Sequence, residues 1–201
     1  MTFICSSVNS LRFPMNLICL SMNGTTLCDT GAKELCKLLL TSFSSTLREL
    51  MLRENQCTKR TAVSIAAYLR VDTCNLICLD LSWNNIRTEG GIEVSFTKIS
   101  FSDTDNIEMT VKNFKITILQ ILKAIWSASS HLQRLKLDWN GLNDEFLPCL
   151  EMFITSSPNR SLKHLSMCNN LLSLRRLKGM ENKRPQLEIC YSEIQFTSRF
   201  G

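Results

Sequence analysis

Histidine is nearly absent from this sequence: His131 and His164 are the only two. Histidine is the commonest general base and metal ligand, so its scarcity removes most routes to acid–base or metal chemistry. No GxxxxGK[ST] loop, HExxH, GxSxG or GxGxxG occurs, and no catalytic, cofactor-binding or metal-ligating set is expected. There are ten cysteines but no CxxC pair and no zinc-finger spacing; Cys74 and Cys78 are separated by three residues. No run of 18 apolar residues exists, so no membrane span is expected. Residues Met1 to Leu20 lack the basic opening of a secretory signal. The expectation is therefore a chain of the cytoplasm, with the nucleus open to it, whose thiols are reduced and mostly structural. On that reading the acceptor-like triplets Asn23-Gly24-Thr25 and Asn159-Arg160-Ser161 stay unglycosylated.

What the chain does have is leucine at regular intervals. In Leu76 to Ile86, apolar residues stand at Leu76, Leu79, Leu81 and Ile86, with an asparagine at Asn84. The pattern recurs as Leu17, Leu20, Met22, Leu27 (with Thr25 for the asparagine), and as Leu47, Leu50, Leu52, Asn55, Cys57. It recurs again as Leu132, Leu135, Leu137, Asn140, Leu142, and as Leu162, Leu165, Met167, Asn170, Leu172. The units start 30, 29, 56 and 30 residues apart. Alternation over Leu79, Asp80 and Leu81 predicts a short strand with leucines on one face. The turn that follows leaves backbone groups inside without partners, and a carboxamide can satisfy both donors and acceptors there. Asn55, Asn84, Asn140 and Asn170 are accordingly expected to be structural. One unit cannot bury its own apolar face, whereas stacked units can.

Between the strands the apolar spacing turns helical. Thr30 to Leu40 aligns Ala32, Leu35, Leu38 and Leu39, with Asp29 or Thr30 as its N-cap; Thr61 to Arg70 aligns Val63, Ile65, Ala66 and Leu69. Asn143 to Ile154 aligns Phe146, Leu147, Leu150 and Phe153, with Pro148 near its first turn. Strand, turn, helix and return in 28 to 30 residues resembles the ribonuclease-inhibitor-like class of leucine-rich repeat. The resemblance implies an α/β solenoid, a short curved horseshoe of about five repeats with parallel strands on the concave side and helices on the convex side.

The organisation expected is an N-terminal tail (1–14), a repeat domain (15–192) and a C-terminal tail (193–201). The long interval is ascribed to an insertion at 94–120. Removing it restores a 29-residue spacing and joins Gly90-Gly91-Ile92-Glu93 to Ile121-Leu122-Lys123-Ala124-Ile125 as one amphipathic helix. Val-Ser at its start can be encoded as a splice-donor consensus and Gln at its end by CAG, so it reads as a retained intron or an alternative exon; a convex-side loop insertion is the competing account. Leu187 to Tyr191 is expected as a closing edge strand. Residues 1–14 offer the first strand no amphipathic cap, which suggests a piece or isoform of a longer array.

A net charge of +5 raises nucleic acid as a partner. The strand-exposed positions argue otherwise, because Arg48, Arg53, Arg134, Lys136 and Lys163 are interleaved with Glu49, Glu54, Asp80 and Asp138 rather than forming a phosphate track. Stacking places Ser21, Met51, Asp80, Lys136 and Ser166 in one column, and Asn23, Arg53, Ser82, Asp138 and Cys168 in the next. Trp83 and Trp139 become adjacent rungs if the insertion loops out. Aromatic and arginine side chains dominate interface energetics, so Arg53, Asp80, Trp83, Arg134, Lys136, Asp138 and Trp139 are the expected protein-binding surface. The function expected is a non-catalytic scaffold or adaptor for another protein. The alternative is a GTPase-activating or regulatory repeat protein acting on a bound GTPase, although no matching motif surrounds Arg53 or Arg87.

Overall fold

The computed structural model describes residues 17–42, 46–87, 118–126 and 130–192. Six three-residue strands form one sheet in chain order: β1 (Cys19–Ser21), β2 (Glu49–Met51), β3 (Cys78–Asp80), β4 (Arg134–Lys136), β5 (His164–Ser166) and β6 (Glu188–Cys190). All neighbours are parallel, and Leu20, Leu50, Leu79, Leu135, Leu165 and Ile189 share one register row. Parallel strands need a crossover. One helix lies in each: α1 (Cys28–Ser42), α2 (Lys59–Leu69), α3 (Ile118–Trp126), α4 (Leu147–Ser156) and α5 (Leu174–Glu181). The closing strand expected at Leu187 to Tyr191 is β6.

The central residue of each strand from β2 to β6 is buried in a continuous apolar core with helix residues such as Leu35, Ile65, Ile125, Leu150 and Leu177. A fully buried leucine contributes about 1.5–3 kcal/mol, so the stacking of neighbours supplies most of the stability. The residues flanking each strand centre lie on the opposite, open face, where β1, β4 and β6 are exposed at both flanks.

Asparagine side chains hold the turns after the strands. Asn84 Oδ1 accepts from the N–H groups of Asn55 (3.1 Å) and Cys57 (2.9 Å), while its Nδ2 donates to the carbonyls of Leu52, Leu81 and Ser82. Each such carboxamide therefore grips the preceding unit as well as its own turn. Asn55 does so to Thr25 and Leu27, and Asn170 to Asn140 and Leu142. Asn140 reaches Leu81 O (2.9 Å) and Ile86 N (3.3 Å), so the ladder continues from β3 to β4 despite the long interval between them.

Several local expectations are corrected. Asp29 does not cap its own helix. Its carboxylate accepts from the N–H and hydroxyl groups of both Thr58 and Thr61, at the start of α2. Burial disfavours its charge, but these hydrogen bonds outweigh that and hold its pKa below the ordinary aspartate value. Asp144 repeats the device by accepting from Ser173 N at the start of α5 (2.6 Å). Val63 lies outward, 54% exposed, because α2 begins at Lys59 and turns Thr61, Ala62, Ile65, Ala66 and Leu69 inward.

The segment expected as one helix from Asn143 is instead a 3-10 turn, Asp144–Phe146, followed by α4. Pro148 has no N–H for a helical bond back to Asp144, so the α-helix restarts with proline in its first turn, where none is needed. Helix α3 takes in residues 118–120, the last three assigned to the inserted segment. The rest of that segment, residues 90–93, and the tails at 1–14 and 193–201 lie outside the described residues.

Two buried features complete the interior. Burial pushes the Cys36 thiol up to about 12 and the Cys57 thiol up to about 11, and both are free thiols. Asn159 is 8% exposed and donates to Ser130 O (2.9 Å), so its carboxamide serves the core rather than standing as a glycosylation acceptor. Among the described residues no helix is long and apolar enough to cross a membrane.

Candidate functional site: a stacked tryptophan pair at the strand exits

The residue just before each repeat asparagine must turn the chain sharply, and it does so in the left-handed region. Gly24 (φ 63°), Glu54 (58°), Trp83 (58°), Trp139 (53°) and Asn169 (55°) form one such column. Glycine and asparagine suit that conformation. A bulky side chain there costs about 1–2 kcal/mol. Hydrogen bonds impose the conformation: Trp83 N donates to Asp138 O (2.8 Å) and Trp139 N to Cys168 O (3.0 Å), beside the buried Asn84 and Asn140.

The two indoles meet because β3 and β4 are neighbours. Their ring centroids are 4.6 Å apart at an interplanar angle of 24°, a stacked pair. The Arg53 guanidinium lies over Trp83, with Cζ 5.7 Å from the centroid, giving a three-layer arrangement of cation, indole and indole. Trp83 is 45% exposed and Arg53 is exposed. Beside the stack is an open pocket of about 440 Å³, lined by Trp83 together with Thr26, Glu54, Gln56 and Asn85. Sequence reasoning passed over Gln56 and Asn85. The signal that marks them is their shared place directly after the repeat asparagine.

The other expected site residues fall into separate groups along the open face. Arg134 reaches over Cys78 to Glu49, two strands away (3.0 Å), and Lys136 pairs with Asp80 (3.7 Å). Asp80 is only 8% exposed and also accepts from Ser82 N (2.9 Å), so it presents little surface to a partner. Asp138 is half-buried, and its Oδ1 accepts from Ser166 Oγ (2.6 Å) and Cys168 N (2.7 Å). That carboxylate braces the next strand. His164, on the solvent side of β5, is paired with Glu188 (2.6 Å) rather than with Cys168. The tryptophans and Arg53 thus come together, while Arg134 and Lys136 are matched by Glu49 and Asp80, and Asp138 is taken up by hydrogen bonds. Exposed pairs of this kind are worth about 0–1 kcal/mol each, so they neutralise the face more than they stabilise it.

The register, the asparagine ladder and the strand–helix alternation describe a repeat, and comparison by family agrees. The Leucine Rich repeat family model matches residues 74–95 and 128–145. These two stretches are similar to leucine-rich repeat sequence. Between them they carry β3, Trp83 and Asn84, then β4, Trp139 and Asn140, so the stacked pair sits on the two matched repeats. No curated protein matches the chain. Leucine-rich repeats are typically non-catalytic binding modules, and a protein-interaction scaffold is the role the match suggests.

Proposed function

We propose that this chain is a non-catalytic protein-binding scaffold of the ribonuclease-inhibitor-like class, whose partner docks on the concave open face at Trp83 and Trp139, flanked by Arg53. The observation that carries this reading is the stacked indole pair held in left-handed backbone. Two large side chains occupy positions that glycine or asparagine fills at lower cost, and they expose aromatic surface there. Strain retained by an exposed Trp83 stacked on a half-buried Trp139 is the kind of local cost that accompanies a site. Aromatic side chains also bury much area at a modest entropy cost, which is why they anchor interfaces. The self-matched charges nearby suit a protein surface better than a phosphate track. On this reading the cytoplasm or nucleus is the working compartment.

The test is affinity capture with mass spectrometry, using wild-type chain and a Trp83→Ala/Trp139→Ala double variant, each with and without residues 94–120. Loss of a defined partner set in the double variant is the expected result. Retention of every partner would defeat the site. A GTP-hydrolysis assay with purified chain and candidate GTPases addresses the GTPase-activating alternative, for which unchanged rates are expected.

A further inference from the structure

The cations of the open face are not all treated alike. Arg134 has Glu49 and Lys136 has Asp80. Arg53 has no carboxylate among the described residues; its guanidinium lies against the Trp83 ring instead. A guanidinium held over an aromatic face keeps N–H donors that a planar anion can engage. The backbone beneath it is fixed too, since Arg53 N donates to Asn23 Oδ1 (2.9 Å). The neighbouring Glu54 lines the pocket beside Trp83, where its charge works against an incoming anion.

We infer that the partner segment docking at the tryptophan pair is acidic and apolar together: an aspartate or glutamate whose carboxylate meets the Arg53 fork, beside an aromatic or aliphatic side chain that covers the indole edges. This rests on the reading of the tryptophan pair as the docking site and specifies the chemistry of what docks there. Arg53 is the preorganised donor, Trp83 its support, and Trp139 the continuation of the apolar surface. The carboxylate adds a charge-assisted hydrogen-bond pair, and the apolar neighbour shields that pair from water and salt.

The probe is a synthetic peptide alternating aspartate with phenylalanine, compared with its asparagine and lysine counterparts. Fluorescence anisotropy of the labelled peptide and quenching of the protein's tryptophan emission report binding. The aspartate peptide should bind about tenfold or more tightly than the asparagine peptide. Arg53→Gln should erase that preference, and Glu54→Gln should enlarge it. Tighter binding of the lysine peptide, or an aspartate preference that survives Arg53→Gln, would overturn the inference. The same holds if wild-type chain binds none of the three peptides. Affinity capture separates this failure from failure of the site itself. Partners lost in the tryptophan double variant but kept by Arg53→Gln would sink only the charge assignment, and partners kept by both variants would sink both.

Discussion

Among the described residues two arginines lie over aromatic rings, in opposite surroundings. Arg53 lies over Trp83 at 5.7 Å, in the open. Arg184 stacks on Phe153 at 5.6 Å but is only 2% exposed. One of its nitrogens donates to Asn159 O (3.1 Å), while Nε and Nη1 have no hydrogen-bond partner among the described residues. Burial and the nearby Arg160 lower its pKa, because both disfavour a charge that cannot reach water or a carboxylate. The same contact thus serves two ends. Inside, the guanidinium fills volume and ties the last helix connection to the preceding one at an electrostatic cost. At the rim it is inexpensive to keep and useful to a partner.

The comparison predicts that polar groups in the interior govern stability, whereas those on the rim govern binding. The largest effect should come from Asn84→Ala, which removes five hydrogen bonds and strands two buried N–H groups. A loss of about 3 kcal/mol is expected in urea unfolding. A loss below about 1 kcal/mol would break the comparison at its strongest point. Arg184→Met should come next and with the opposite sign, stabilising the fold by about 1–3 kcal/mol. An apolar side chain of similar volume carries no unpaired buried charge. Destabilisation there would show that the guanidinium has found partners that the stacking geometry does not reveal.

Asp29 sharpens the interior half further. Its folded pKa lies below the unfolded value, so its contribution is present at neutral pH and above the unfolded pKa. It is lost as pH falls through the folded pKa. Asp29→Asn should therefore cost about 1 kcal/mol at pH 7, by analogy with the loss of a helix cap, and the gap from wild type should close in acid. Chemical denaturation of both proteins from pH 7 down to about pH 2.5 reads this directly.

Much of the architecture was legible in the chain. Leucines at positions such as Leu76, Leu79 and Leu81, with Asn84 three residues on, specify a strand followed by a turn that needs a carboxamide. The adjacency of Trp83 and Trp139 followed from treating the 56-residue interval as one unit with extra length. Less legible were features set by the neighbouring unit. Asp29 looks like the cap of its own helix in one dimension, yet in three it serves the helix beside it. Asp80 and Asp138 read as displayed charges because they alternate with leucines, but register places Lys136, Ser166 and Cys168 within reach of their carboxylates. Val63 was misassigned because helical spacing alone leaves the phase open by one residue.

The sequence by itself determined the periodicity, the strand centres, the asparagine positions and the column in which the two tryptophans stand. These depend on local spacing, which a linear chain carries in full. Only the tertiary structure decided which charges are matched, which carboxylate caps which helix, and that Arg53 rests on Trp83 without an acid. Those outcomes depend on side chains converging from segments about 30 or more residues apart, where distance and burial decide which interaction wins.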